Sequence, residues 1–419
     1  MRYSVSSFSL IMYIMLFGCH SGDQTVNDGG LVLLDANQKG ARMDLHITDV
    51  ADVYLIPLRF GPDNVLLNIT SARRSLFVFH NEIFLGNWLR DHPLLVVYNF
   101  QGEPIRLIGS RGRGPGEYLQ LSGFIVDTLA NEIITYDRDA NKFLVYSTTG
   151  IFKRERFVEN NGLYTQYTDI ENINDRYMLA YKDNSREVSD KTWEVMGVPI
   201  VQANTIYNRG RTFTLYDKQT LSEVDFLNFD FARPSQWNAK ILFHNLTTTE
   251  NGVYITSQRT DTIYFMDRNL ELSPQFVDVT NYSAKFNEAH LFPVAETNKY
   301  IFFSVEIAFD PEQPNRNKIK HFVYDKEVKQ FFRLNTGLSE DPMDCNYKDA
   351  LIRNKVAFDQ FLPTLNHDFV SSMLTPEYLW KRYNELPEIY RNITKNLKMD
   401  DNPILMLMKL KSLSDETPN

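Results

Sequence analysis

Apolar and polar positions alternate along much of this chain in short runs that are separated by polar turns. Two strand-turn-strand units are especially clear, one from Leu94 to Ile105 and the other from Phe143 to Phe152. Each has a β-branched or aromatic run, a short polar turn with glycine and a second run, which is the pattern of a β-hairpin. A hairpin unit that recurs along a chain indicates a repeat architecture.

The unit occurs five times, and the copies follow at steps of 48, 70, 50 and 58 residues. These steps are near or above the roughly 40 to 50 residues of a four-stranded propeller blade, so the longer steps predict insertions. Equivalent positions in the five copies are Tyr98, Tyr146, Tyr216, Met266 and Tyr324. A sixth outer strand is predicted at Ile404–Leu410, and a first inner strand at Asp52–Ile56. Strands from both chain ends would close the ring and remove its exposed sheet edges.

The pattern therefore predicts an all-β fold, a six-bladed β-propeller of four-stranded antiparallel blades over residues 43–412, with a C-terminal tail at 413–419. A short helical insertion is predicted at about 375–398. Thr375 is a suitable N-cap, Pro376 suits the first helical position, and apolar residues then recur every three or four positions. Pro387 is expected to kink or split the helix. The 419 residues contain no Gly/Ser/Pro-rich linker that would divide them into separate domains.

The N-terminus has the pattern of an export signal. Arg2 is followed by the apolar run 8–17, which is too short to span a bilayer because a spanning helix needs about 20 residues. The next residues, Leu16 to Cys19, resemble the bacterial lipobox, in which the cysteine is lipidated after cleavage before it. We therefore predict a lipoprotein signal peptide at 1–18, a lipidated Cys19, and a flexible tether within 19–42. An incidental cysteine in an ordinary signal peptide is the alternative.

The net charge restricts the binding partners of the chain, and the cysteine content restricts its disulfides. The formal net charge of -9 and the pI near 5.5 argue against a nucleic-acid partner, which would need a concentrated basic face. The predicted membrane partner is reached through the lipid anchor, and the predicted location is the cell envelope, at the outer membrane. After lipidation of Cys19 only Cys345 remains as a thiol, so the mature chain is expected to have no internal disulfide.

The segment from Ile108 to Tyr118 contains the candidate ligand-binding residues Arg111, Arg113, Glu117 and Tyr118. Its glycines permit close backbone approach, and two arginines can bind a carboxylate, phosphate or sulfate. The segment lacks the Gly-Lys-Ser/Thr of a Walker loop and the last glycine of a dinucleotide fingerprint. The alternative is a tight structural turn in which Glu117 accepts backbone N–H groups and Tyr118 packs between blades.

Other chemistry has little support in the sequence. The eight histidines are dispersed and form no zinc motif, so no metal site is predicted. Asp137–Asn141 begins like a calcium loop, but Lys142 replaces the required glycine and Thr148 the required glutamate, which favours a polar hairpin turn. No Gly-x-Ser-x-Gly elbow is present, and no cofactor is predicted.

Three features of the sequence occur together: the segment from Ile108 to Tyr118, the paired runs Phe124–Asp127 and Asn131–Asp137, and Asp400–Pro403 before an apolar strand. In these features the chain resembles the six-bladed β-propeller lipoproteins of Gram-negative gut anaerobes, which are related to NHL-repeat propellers. The resemblance covers the mature chain, and residues 160–238 fit least well. The resemblance implies a fold and a location in the envelope. It implies no activity, because most of that family has no assigned biochemistry.

Two functions follow as expectations. The leading one is a non-enzymatic envelope lipoprotein that presents a propeller face to a glycan, a peptide or a partner protein. The alternative is an NHL-like propeller hydrolase or lyase with a metal in its central channel, which would need at least three convergent His, Asp or Glu side chains. The dispersed histidines favour the binding role.

Overall fold

The computed structural model describes residues 31–36, 42–60, 74–88, 93–158, 167, 169–181, 185–195, 198–207, 213–227, 246–256, 261–280, 289–307, 319–337, 347–358 and 364–411. Within these ranges the chain forms small antiparallel sheets that stand side by side in a ring. This is the six-bladed β-propeller that the sequence predicts. Cys19 and Cys345 lie outside the described residues.

The first half of the described chain supplies an N-terminal segment and three blades. The N-terminal segment has β1 (Val32–Leu34), β2 (Arg42–Met43), helix α1 (Ile47–Val50) and β3 (Ala51–Pro57). Blade 1 has β4 (Arg74–Phe79), β5 (Glu82–Trp88), β6 (Pro93–Asn99) and β7 (Pro104–Leu107), followed by the short strands β8 (Ser110–Arg111) and β9 (Glu117–Tyr118). Blade 2 has β10 (Leu121–Asp127), β11 (Glu132–Asp137), β12 (Lys142–Ser147) and β13 (Phe152–Phe157). Blade 3 has β14 (Asp169–Asn172), β15 (Tyr177–Tyr181), an inserted hairpin of β16 (Ser185–Val195) and β17 (Val198–Tyr207), then β18 (Phe213–Asp217) and β19 (Ser222–Leu227).

The second half supplies the other three blades. Blade 4 has β20 (Leu246–Thr248), β21 (Gly252–Ile255), β22 (Thr262–Asp267) and β23 (Leu272–Asp278). Blade 5 has β24 (Ala289–Glu296), β25 (Tyr300–Ile307), β26 (Ile319–Asp325) and β27 (Gln330–Leu334). Helix α2 (Tyr347–Ile352) precedes blade 6, which has β28 (Phe369–Leu374), helices α3 (Pro376–Lys381) and α4 (Glu388–Thr394) with a 3-10 turn (Tyr383–Glu385) between them, and β29 (Ile404–Leu410).

The N-terminal segment runs along the outer edges of blades 4, 5 and 6. β1 pairs in parallel with β23, and β2 pairs in parallel with β27, so each adds a fifth strand to its blade. β3 pairs in antiparallel with β29 and completes blade 6. The predicted start of the propeller at residue 43 is therefore too late. Val32–Leu34, which falls in the predicted tether, is already part of the ring.

Two strand positions predicted from the sequence are also wrong. β29 is an inner member of its sheet, because β28 pairs with one edge and β3 with the other. β3 is the outer strand, and its exposed Asp52 and Tyr54 match the partly exposed outer strands of other blades. The central axis of the propeller lies on the opposite side of this sheet from β3. On that side Thr364, just before β28, forms a β-bridge with Leu76 of β4. The ring is thus closed by strands from both chain ends, as predicted, but β29 is the inner strand of this pair and β3 is the outer one.

The two faces of the ring carry different connections. We call the turn face the side with the first-to-second and third-to-fourth strand turns, such as 128–131 and 148–151 of blade 2. The crossover face is the opposite side, with second-to-third strand turns such as 138–141 and with blade-to-blade connections such as 108–120. Both described insertions, the β16–β17 hairpin and the α3–α4 segment, join a second strand to a third. They therefore emerge on the crossover face.

A hydrophobic cluster fills each junction between neighbouring blades. The junction of blades 1 and 2, for example, contains Phe84, Tyr118, Phe124 and Tyr146, all nearly inaccessible to solvent. The remaining junctions have equivalent clusters. One of them joins Leu405 and Leu407 of blade 6 to blade 1, so the first and last blades are held by the same kind of contact as the others. Burial of this apolar area is the main force that stabilises the ring.

The repeated hairpin has a local cause. The residue that ends the third strand of a blade accepts backbone N–H groups of the following turn through its side chain, as in an Asx turn. Asn99 Oδ1 accepts from Gln101 and Glu103 at 3.0 and 2.9 Å. Asp267 Oδ1 accepts from two turn residues at 2.8 Å each. Asp217 and Asp325 act in the same way.

Arginines on two outer strands tie neighbouring blades together. Arg106 of β7 donates to Glu82 at the start of β5 at 2.9 Å, and to the Thr148 carbonyl of blade 2 at 2.7 Å. Arg154 of β13 repeats this arrangement one blade later, with Glu132 at 2.8 Å and a carbonyl of blade 3 at 3.1 Å. Each guanidinium therefore bridges two blades through charge-assisted hydrogen bonds.

The helical insertion is confirmed. Thr375 caps α3 by accepting the backbone N–H of Tyr378 at 3.0 Å, and Pro376 is the first helical residue. Pro387 separates α3 from α4, as expected. Leu379 and Tyr390 are buried against Ile404 of β29. Blade 6 thus covers Leu379 and Tyr390, whereas Ile389 of α4 is exposed.

Candidate functional site

The crossover segment, residues 108–120, forms a tight loop between β7 and β10. Its strands β8 and β9 pair in parallel, and Gly112 N donates to Tyr118 O at 3.0 Å. Gly116 has a φ of +72°, and a Cβ at this position would lie 2.6 Å from the Phe152 ring. The Tyr146 hydroxyl donates to Gly116 O at 2.8 Å. Blade 2 thereby holds the loop, and position 116 requires glycine on both conformational and steric grounds.

The four candidate residues of this loop have different environments in the structure. Glu117 Oε2 accepts the Gly114 N–H at 2.7 Å inside the loop. Tyr118 is 1% exposed and lies in the cluster between blades 1 and 2, where burial and then the Asp137 carboxylate raise the pKa of its phenol. Arg111 and Arg113 are exposed on the crossover face. The loop geometry is that of the structural-turn alternative, and the ligand role of the two arginines stays a prediction.

Asp137 is a residue whose role the sequence did not reveal. Its carboxylate is fully buried and accepts four backbone N–H groups. Two come from the crossover segment, Leu119 at 2.7 Å and Gln120 at 3.0 Å. Two come from its own turn, Asp139 at 3.1 Å and Ala140 at 3.2 Å. The run that superficially resembles a calcium loop is therefore a hairpin turn, and its first carboxylate joins the turn to the crossover segment.

A cleft of about 370 Å³ opens on the turn face, and we call it the turn-face cleft. It is lined by residues 250–251 of blade 4, by 296–298 and Lys326 of blade 5, and by 367–368 and 409–411 of blade 6. Its volume falls in the lower part of the roughly 300–1,000 Å³ typical of ligand sites. Most of its lining side chains are charged or polar, and they converge from three blades.

Contacts within the blades fix the walls of the turn-face cleft. Glu296 Oε1 accepts from Lys326 Nζ at 2.8 Å. Its carboxylate is also hydrogen-bonded to Tyr254, whose pKa is raised by burial and by this charge. On the blade 6 side, Leu410 N donates to Asp368 O at 2.8 Å. The charged groups therefore project from hydrogen-bonded turns and strand ends.

The sequence could not indicate this cleft. Glu250 and Lys409 are 159 positions apart in the chain. Each lies at the end of a strand, where charged residues are common and have no diagnostic spacing. The packing of consecutive blades brings blades 4 and 6 to either side of blade 5.

In the part of the chain that the structure describes, no group of three or more His, Cys, Asp or Glu side chains is arranged to hold a metal ion. No helix within those same ranges is both long and apolar enough to cross a membrane.

Comparison with known proteins identifies a family whose model matches most of this chain. The model of a domain of unknown function, DUF4934, matches residues 69–409. A solved structure described as an exported protein of Bacteroides fragilis has a TM-score of 0.60 and 16% identity, over 89% of this chain and 98% of that chain. A member of the DUF4221 family from Bacteroides vulgatus has a TM-score of 0.50 and 10% identity, over 87% of this chain and 98% of that chain. No curated protein matches the sequence. At these identities the two likenesses concern the fold alone.

Proposed function

The chain belongs to the DUF4934 family, and from that premise we propose that it is an exported propeller that binds a polar ligand in the turn-face cleft. The observation that carries this proposal is the convergence of charged side chains from three blades on a cleft of about 370 Å³. Charged groups aimed into a shared concave space favour binding of a ligand with complementary charges. The ring itself is a rigid scaffold, because every blade packs on two neighbours.

The proposed location is the cell envelope, with a lipid on Cys19 as the membrane anchor. The apolar run 8–17 and the lipobox-like residues up to Cys19 support export and lipidation. The described chain begins at Leu31, so about a dozen residues would separate the lipid from β1. A tether of that length holds the propeller near the bilayer without burying it.

The binding role can be tested by filling the cleft. Asn298 is an exposed lining residue, and Asn298→Trp would occupy the space with a large side chain. In a thermal-shift screen of small peptides and oligosaccharides, ligands that raise the melting temperature of the wild type should have no effect on Asn298→Trp. Asn269→Trp, on an exposed turn of blade 4 that does not line the cleft, serves as the matched control and should respond like the wild type. If Asn298→Trp responds to every hit as the wild type does, the cleft is not the binding site.

Lipidation makes a separate prediction. Cys19→Ala should move the protein from the membrane fraction to the soluble envelope fraction, because the only acyl-accepting thiol of the lipobox-like sequence is removed. Fractionation together with incorporation of labelled palmitate measures both effects. Ser21→Ala, two residues later, should keep the lipid and the membrane location. A Cys19→Ala protein that stays in the membrane fraction would refute the anchor.

A further inference from the structure

The charges of the turn-face cleft are unevenly distributed along its length. On the side of blades 4 and 5 lie Glu250 and Glu296, with Lys326 as the basic residue. On the side of blade 6 lie Lys409 and Lys411, with Asp368 as the acidic residue. Among the lining residues alone, the first end has one carboxylate in excess and the second end has one ammonium group in excess.

The residues responsible for this imbalance are available to a ligand. Glu296 and Lys326 neutralise each other at 2.8 Å, which leaves Glu250, an exposed residue, as the unbalanced acid. The Glu250 backbone is held in place, because Arg268 Nη2 donates to its carbonyl at 3.0 Å. At the other end Lys411 Nζ donates to the Thr48 carbonyl at 2.5 Å. Lys409 is exposed and is the basic counterpart of Glu250.

These charges restrict the class of ligand. A neutral ligand would remove water from charged groups without supplying opposite charges, which costs free energy. A polyanion would be repelled at the Glu250 end, and a polycation at the Lys409 end. A ligand with a cation at one end and an anion at the other satisfies both ends at once. The volume of about 370 Å³ suits a short segment rather than a folded partner.

We propose that the turn-face cleft binds a short peptide segment in one direction, with a basic side chain at Glu250 and an acidic side chain at Lys409. This inference rests on the proposed binding function of the cleft and adds the ligand class and its orientation. A peptide also brings backbone N–H and C=O groups, which can pair with the polar side chains of Asn251 and Asn298 in the lining of the cleft.

The test uses two blocked tetrapeptides of opposite polarity, acetyl-Lys-Ser-Ser-Glu-amide and acetyl-Glu-Ser-Ser-Lys-amide, in calorimetric titrations. Asn251 and Asn298 are expected to hold the peptide backbone in one chain direction. In that direction only one of the two peptides places its cation at Glu250 and its anion at Lys409, whereas the other places like charges together at both ends. The wild type should therefore prefer one of them by roughly tenfold. The double variant Glu250→Lys with Lys409→Glu exchanges the two charges and should prefer the other peptide. The control double variant Asp400→Lys with Lys395→Glu keeps the same net charge, alters exposed residues next to β29 or in the helical insertion, and should keep the wild-type preference.

The outcomes separate this inference from the proposed function. Equal affinity of the wild type for both tetrapeptides, or an unchanged preference in the charge-exchanged variant, overturns the directional peptide inference. If the wild type binds the two peptides equally and Asn298→Trp binds neither, the cleft remains the binding site but does not select a peptide by the order of its charges. If Asn298→Trp binds both peptides as the wild type does, the proposed function fails as well. Circular dichroism of each variant establishes that the ring is intact.

Discussion

Removal of residues 403–419 is expected to abolish the native fold. The deletion takes out β29, whose side chains Ile404, Leu405, Met406, Leu407 and Met408 are all at most 1% exposed. Burial of each such side chain stabilises a protein by about 1.5–3 kcal/mol, so the loss is comparable to the entire 5–15 kcal/mol of a typical folded domain. Size-exclusion chromatography and circular dichroism should show aggregated or unfolded material.

The position of β29 makes this effect larger than the loss of an edge strand. β29 is the strand that connects β28 to β3, so its removal also detaches the N-terminal segment from blade 6. A shorter deletion of 412–419 leaves β29 complete and should keep the wild-type melting temperature. Leu405→Ala provides a graded test in the intact chain and should cost about 2–5 kcal/mol. A soluble 403–419 deletion with an undiminished melting temperature would show that β29 does not close the ring.

Local signals made the hairpins of this chain predictable. The third and fourth strands of a blade are joined by a short turn, and the residue that forms the turn hydrogen bonds, such as Asp217 or Asp325, is the last residue of the third strand. The same is true of the helical insertion, where Thr375 and Pro376 are adjacent in sequence to the helix that they start. In each case the residues that determine the structure lie within a few positions of each other.

Non-local pairing explains the errors. β1 has three residues and pairs in parallel with a strand about 240 positions later, so neither its length nor its sequence indicates a place in the ring. Whether β3 is an inner or an outer strand depends on its partner β29 at the other end of the chain. Both strands have seven residues, so length does not distinguish them, but β29 is a continuous apolar run that is buried along nearly its whole length, whereas β3 has the exposed Asp52 and Tyr54. This difference was a local signal for the inner position of β29.

The same distinction between local and non-local signals applies to the candidate functional residues. The sequence identified the crossover segment as unusual, and the structure gives the reason, since Gly116, Glu117 and Tyr118 are each fixed by the loop or by blade 2. The turn-face cleft, in contrast, depends on the arrangement of three blades and has no local motif. The most distinctive sequence motif therefore marks a junction that stabilises the ring, whereas the proposed binding site consists of residues that are ordinary in sequence.

Asp137→Ala is expected to cost about 4 kcal/mol or more of unfolding free energy, because it leaves four backbone N–H groups without their acceptor at a fully buried position. A hydrogen bond to a charged group contributes about 1.5–3 kcal/mol. Asp137→Asn should cost less, since its oxygen can keep the three bonds made by Oδ1 and only the Leu119 N–H would face an amide donor. Asp139→Ala, in the same turn but with an exposed side chain, should change stability by less than about 0.5 kcal/mol. Chemical denaturation of the three variants measures the series, and equal unfolding midpoints for Asp137→Ala and Asp139→Ala would show that the buried carboxylate does not hold the crossover segment to blade 2.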